Sequence, residues 1–350
     1  MAQAQENFEW LSFHDMLALQ RHCRGQAGRK KGELVGPEEV GLVADVGRVS
    51  VRFGLTGGRL GLTPREIHTY HTADHPTFTS ALSAYLKQVG CENEVLPSTL
   101  AIAGAVRGEV INMTGSRWYI SLSGVEAVLR ARPRALNECA ANALALTQLS
   151  PSALLPLPGP AAKAVRPGGN FLVIGPGTGL GVAGLVTYGD RLTPVQSEGG
   201  HMAFAAATPE EAKVIAHLVQ RARAPSNEAL LSAAGLVSIY EALSGGPAPE
   251  PEAITRNAAR DPHAAATLTT FVGALGAMIG DLVLAFGAWD GVYLTGAIAR
   301  ALHHKLADPL LRRRMIAKSA FSRQLGEVPI AVVNRNDLEL LGAAAAFAQS

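Results

Sequence analysis

Phe171-Leu-Val-Ile-Gly-Pro-Gly-Thr-Gly-Leu-Gly-Val-Ala183 is the stretch whose reading decides the fold. Residues 171–174 are an apolar run, 175–179 a glycine-rich turn, and 180–187 apolar again. Apolar runs of this length bounded by glycine read as two strands joined by a hairpin. Gly189 and Asp190 then turn into a third run, Arg191 to Val195. The same pattern opens the ordered sequence: Leu42 to Val46, a turn at Gly47, Val49 to Leu55, and a second turn at Gly57-Gly58 into Arg59 to Leu62. A strand, glycine turn and strand occurring twice predict a duplicated α/β fold, two lobes with a cleft between them and a glycine hairpin from each facing that cleft. Such a hairpin lets backbone N–H groups approach a phosphate with no Cβ in the way. Alone, it also reads as a plain turn.

Outward from these units, Pro76 to Gly90 carries Leu82, Tyr85, Leu86 and Val89 at helical spacing. Leu100 to Val106 and Gly108 to Met113 read as strands, and Ala140 to Leu149 as a helix. Pro151 to Gly169 is rich in Pro, Ala and Gly without periodicity, and is expected to be a surface loop. The apolar stretch around Phe271 to Trp289 contains Asp281 and reads as a buried core helix, not a membrane span. Residues 1–38 are expected to be a flexible extension. Its opening is polar and acidic, without a basic n-region or an apolar h-region, so no signal peptide is expected.

Composition narrows the class of function. With 48% hydrophobic and 17% charged residues the chain can build real cores, and 350 residues suffice for two. A net charge of +2 gives no reason to expect a nucleic-acid or membrane partner. Cys23, Cys91 and Cys139 are too far apart for a zinc site or a disulfide framework, which fits a reducing cytoplasm.

About twenty residues past the decisive hairpin comes Ser197-Glu198-Gly199-Gly200-His201, and the pair together resembles the motif set of the bacterial glucokinases. Other segments agree in order. Ala44-Asp45-Val46-Gly47 resembles the first phosphate loop, and Asn112-Met-Thr-Gly-Ser-Arg-Trp118 the sugar-side loop. Asn137-Glu138 falls at the catalytic Asn-Asp pair, and Glu228 to Leu236 at the second glutamate segment. Leu294-Thr-Gly-Ala-Ile298 resembles the adenosine-side turn, and Leu340-Leu341-Gly342 the closing helix. The resemblance runs from about residue 39 to 350. It implies an actin-like ATPase (ribonuclease H-like) duplicated fold, with a small lobe of 39–136 plus 337–350 and a large lobe of 137–336. It also implies a cytoplasmic enzyme of glycolysis, a homodimer, that phosphorylates a hexose, glucose, at the 6-hydroxyl with ATP and Mg2+.

Residue by residue, the resemblance assigns the sugar hydroxyls to Asn137, Glu198, His201 and Glu228, and the catalytic base to Glu138. Gly177, Thr178 and Gly179 would hold the nucleotide phosphates with Asp45, Gly47 and Arg48, and Gly296 would line the adenosine. Asp45 would reach the magnesium through water. Each residue type suits its task, because a sugar ring needs fixed carboxylates and amides, and phosphoryl transfer needs positioning and charge neutralisation. Each also has a plainer reading. Glu198 alone is a solvated surface charge, His201 alone a structural histidine, Glu228 a helix first-turn acid, and Trp118 a packing residue.

Several positions depart from the family pattern. The first phosphate loop, usually Asp-x-Gly-Gly-Thr-Asn, is Asp45-Val-Gly-Arg48-Val49-Ser50, with Arg48 for a glycine and Val49 for a hydroxyl. Glu138 stands where the family has aspartate. Its longer reach, on the order of 1 Å, is a displacement that can cost roughly 10²-fold in rate. Ala297 and Gly115 replace a glycine and an asparagine. These changes define a second expectation, a sugar-binding protein that has lost catalysis and serves as a sensor or regulatory partner.

Overall fold

The computed structural model describes residues 39–349 except 59, 60, 114, 163 and 190, so the expected extension over 1–38 lies outside the described residues. The chain divides into two compact units, 39–137 with 346–349 and 138–345.

The first unit is built on five strands: β1 (Val40–Val46), β2 (Ser50–Gly57), β3 (Arg65–His71), β4 (Ser98–Ile102) and, after a two-stranded ribbon of β5 (Val110–Asn112) and β6 (Tyr119–Ser121), β7 (Pro133–Asn137). The sheet order is β3-β2-β1-β4-β7. β1 to β3 form an antiparallel meander, and β4 and β7 continue parallel to β1. β1 is apolar along nearly its whole length because it is central and covered on both faces. The helix Phe78–Gln88 covers one face. Thr77 caps it by accepting from the Ser80 N–H at 3.1 Å, and Phe78, Ala81, Leu82, Tyr85 and Leu86 form its buried stripe. Tyr85 stacks on Phe53 of β2 with ring centres 5.2 Å apart. Burying each such side chain contributes about 1.5–3 kcal/mol.

The third strand of this meander is Arg65–His71, not 59–62 as expected. Its alternation is carried by Glu66, His68 and Tyr70, half-buried, against the exposed Arg65, Ile67, Thr69 and His71. Polar residues on the inner face, and an isoleucine on the outer one, conceal that period of two.

The second unit repeats the plan. β8 (Leu154–Pro156), β9 (Asn170–Pro176), β10 (Leu180–Tyr188), β11 (Arg191–Ser197), β12 (Gly291–Leu294) and β13 (Ile330–Val333) form one sheet of order β11-β10-β9-β12-β13-β8. β9 to β11 are again an antiparallel meander, and β12 and β13 again run parallel to its first strand. β8 is the addition: it pairs with β13 inside the stretch expected to be a loop, too short to show a period. The helix Pro262–Phe286 starts from an Asp261 cap, ends at Gly287 in the left-handed conformation, and buries Phe271, Leu275, Ile279 and Leu282. It is long and apolar enough to span a bilayer, but most of it is buried in this core.

The closing helix, Leu338–Phe347, was expected to lie wholly with the first unit. Instead residues through Ala345 group with the second. The reason is close packing at Gly342, where any Cβ would overlap the Ala141 carbonyl. The last residues belong to the first unit: the Ala346 carbonyl accepts from Arg134 at 2.8 Å, and the Phe347 ring fills the space above Gly41 and Gly57.

Candidate active site

In the first unit the β1–β2 turn is closed by the Gly47 N–H donating to the Ser50 carbonyl at 3.0 Å. Asp45 sits opposite Arg52 in the strand register. Both Nε and an Nη of Arg52 donate to Asp45 Oδ2 at 2.8 Å. Sequence reasoning missed Arg52, although the signal was available: the two residues straddle the turn at paired positions of one hairpin. With Oδ2 taken by the guanidinium, Asp45 suits a contact to a metal through water better than chelation by both oxygens. Among the described residues no cluster of three His, Cys, Asp or Glu could hold a metal by itself. A magnesium ion here would arrive with the nucleotide, its ligands being phosphate oxygens and water.

The Arg48 side chain is half-buried and leans over Gly115, while Val49 is exposed at the tip. Gly115 lies in the loop joining β5 to β6, the segment read as sugar-side. In that loop Trp118 is buried, edge-on to Phe78, and its indole N–H donates to the His75 carbonyl at 3.1 Å, so it packs. At the end of β7, Asn137 donates from Nδ2 to the Gly104 carbonyl at 2.9 Å, which orients its amide.

In the second unit the corresponding turn is braced on three sides. The Gly177 N–H donates to the Gly179 carbonyl at 2.9 Å, and Thr178 stands exposed at the tip. The Gly177 carbonyl accepts from the Ala233 N–H at 2.9 Å, at the start of the helix Ala233–Ser244 that Ser232 caps. On the second side, Glu228 Oε2 accepts from the Leu180 N–H at 2.8 Å. The carboxylate comes so near that a Cβ on Gly179 would stand 2.6 Å from it. On the third side Thr295 donates its N–H to Ile174 at 2.8 Å, and Gly296, at φ +85°, packs against the Pro176 carbonyl. The turn is thus pre-organised, with Thr178 exposed at its tip.

Glu198 and His201 are both exposed, with His201 Nε2 4.0 Å from Glu198 Oε2. The stretch holding them is stitched to the Glu228 segment by Asn227. This buried amide donates from Nδ2 to the Gly199 carbonyl at 3.1 Å, and its own N–H donates to the Met202 carbonyl at 2.9 Å. Asn227 was not singled out from sequence, since nothing in a lone asparagine marks a long-range staple.

Glu138 opens the helix Glu138–Ala145, where the helix dipole suits a carboxylate. Next to it, the Cys139 thiol is pushed well up by burial, reinforced by the negative charges of Glu138, Glu339 and Glu198.

Two sheets of one order, each bearing a glycine turn between its first two strands, define a protein of the actin-like ATPase class. The glucokinase family model matches residues 42–350, and the chain belongs to the glucokinase family. Glucokinase from Stenotrophomonas maltophilia is 37% identical over 315 residues, 87% of this chain and 93% of that one. The crystal structure of a glucokinase from an Antarctic psychrotroph is 29% identical with a TM-score of 0.77, over 89% of this chain and 99% of that one. The glucokinase of Balamuthia mandrillaris in complex with glucose shares the fold at 19% identity and a TM-score of 0.77, over 97% of this chain and all of that one.

Proposed function

We propose that this protein transfers the γ-phosphoryl group of ATP to the 6-hydroxyl of glucose. The observation that carries the reading is the braced Gly177-Thr178-Gly179 turn, whose flanking carboxylate Glu228 is fixed to the residue that follows it. In this reading Thr178 and the glycines hold the phosphates, Gly296 lies on the adenosine side, and Asp45 and Gly47 meet the magnesium–nucleotide complex. Asn137, Glu198, His201 and Glu228 bind the sugar hydroxyls. Glu138 accepts the proton of the 6-hydroxyl as its oxygen attacks the γ-phosphorus, and ADP leaves. Magnesium neutralises charge on the phosphates. The setting is cytoplasmic, and the reaction opens glycolysis.

Loss of catalysis, the other expectation, is not favoured, because the family relatives are glucokinases over nearly their full length. Purified protein with ATP, magnesium and glucose in a coupled glucose-6-phosphate assay tests the reading. Sustained, glucose-dependent turnover is expected, and its absence at millimolar glucose would refute it.

A further inference from the structure

The helix that opens with Glu138 is wedged by the residue next to it. Cys139 to Ala145 are all buried, and all but Asn142 and Leu144 are small, so this helix lies close on the meander of β9 to β11. The tightest point is Gly181, the second residue of β10. Any Cβ on Gly181 would overlap the Cys139 Sγ, so the sulfur fills the space that a larger residue there would need. Gly181 is an ordinary paired strand residue, opposite Gly175 and without a positive φ. What its glycine supplies is room for a close neighbour.

A second close approach holds the same helix. Any Cβ on Gly342 of the closing helix would overlap the Ala141 carbonyl, and Asn142 Nδ2 donates to Glu339 Oε1 at 3.1 Å. All of these residues belong to the second unit. Gly181 also adjoins the anchor of two other segments. The Leu180 N–H before it donates to Glu228 at 2.8 Å, and any Cβ on Gly200 would overlap the Leu180 carbonyl. Two residues of β10 thus fix the Glu228 segment, the Glu198–His201 stretch and the Glu138 helix.

We propose that Cys139 is a positioning residue for Glu138, and that the seat of its thiol on Gly181 fixes where the carboxylate stands. The proposal rests on the kinase reading above, with Glu138 as the base. A helix held at two glycine contacts in a packed core has no slack with which to absorb an error in reach. Glu138 lies one residue before the seat, so a shift of the seat passes to its carboxylate within one peptide. A shift of about 1 Å can cost roughly 10²-fold in rate.

The test moves the filling atom from one side of the seat to the other. Gly181→Ala adds a methyl group that collides with the sulfur and pushes the helix away. Adding Cys139→Ala removes the sulfur and leaves the methyl in its place. Gly181→Ala alone is expected to lower kcat about 10–10²-fold, with the glucose Kd from calorimetry unchanged. Its melting temperature should fall by roughly 2–10 °C. The double variant should regain most of both losses. Cys139→Ala alone empties the seat without overlap. It should lower kcat several-fold at unchanged glucose Kd, and it decides the matter if Gly181→Ala does not fold. In a Glu138→Gln background, Gly181→Ala should cost no further kcat, because the group it displaces is already disabled. An equal loss in that background would overturn the proposal, since the change would then act through packing or the phosphate turn. So would Gly181→Ala turnover within about twofold of wild type, or a loss that appears in glucose affinity and so traces to Glu228. No turnover in wild type would overturn the kinase reading and this role together. Turnover in wild type with any of the contrary outcomes overturns this role alone.

Discussion

Glu138 is the residue we propose as the catalytic base. It occupies the first turn of its helix, half-buried beside Cys139, and carries one methylene more than the aspartate it replaces. Glu138→Gln keeps the shape and removes the proton acceptor, so kcat should fall about 10²–10⁴-fold while glucose binding, read by calorimetry, is spared. Glu138→Asp should match or exceed wild type. Turnover that survives the glutamine change would end its assignment as base. Candidates of this kind are proposed from local motifs, in which neighbours in sequence are also neighbours in space: Glu198 with His201, and Thr178 within its turn. What could not be read was direction. That Arg48 leans over Gly115, that Asp45 is held by Arg52, and that Glu228 grips the Leu180 N–H all depend on contacts across strands or between distant segments.

At the level of elements, the most legible strands are those with apolar runs between glycines, β1, β2, β9 and β10, while β4, β5 and β11 were also legible with shifted ends. β3 and β8 were not, one because its inner face is polar and the other because three residues carry no period. Helix ends depend on local chemistry, and one of them also carries a long-range tie. The helix Pro209–Gln220 begins in a capping box between Thr208 and Glu211. Glu211, only 1% exposed, also accepts from Arg314 of the helix Pro309–Met315 at 2.7 and 3.0 Å. Arg314→Ala leaves a buried carboxylate without its cation, and should cost about 3–5 kcal/mol in urea unfolding. Arg314→Lys, which keeps the charge, should cost less. A loss under 1 kcal/mol for the alanine variant would show that the capping box alone satisfies Glu211.

For the whole molecule, the duplication was visible as two glycine hairpins before any strand order was known, because each unit opens with the same meander. The way the closing helix divides between the units was not, since it rests on Gly342 and Phe347 finding partners some 200 and 300 residues upstream. Three of the four proposed sugar ligands, Glu198, His201 and Glu228, belong to the larger unit. Glucose at a hundredfold excess over its Kd should therefore stabilise that unit by about 2.7 kcal/mol. Scanning calorimetry should show its transition move up by a few degrees in wild type and stay in place in Glu198→Ala. The Phe347 ring has a consequence of another kind, in time. The slot it fills is made by Gly41 and Gly57 on β1 and β2, and roughly 300 residues must follow before the ring exists. At about 5–20 residues per second that is a wait of roughly 15–60 s. Through that interval the nascent sheet has an open notch over its central strand, which is sealed long after that strand is made.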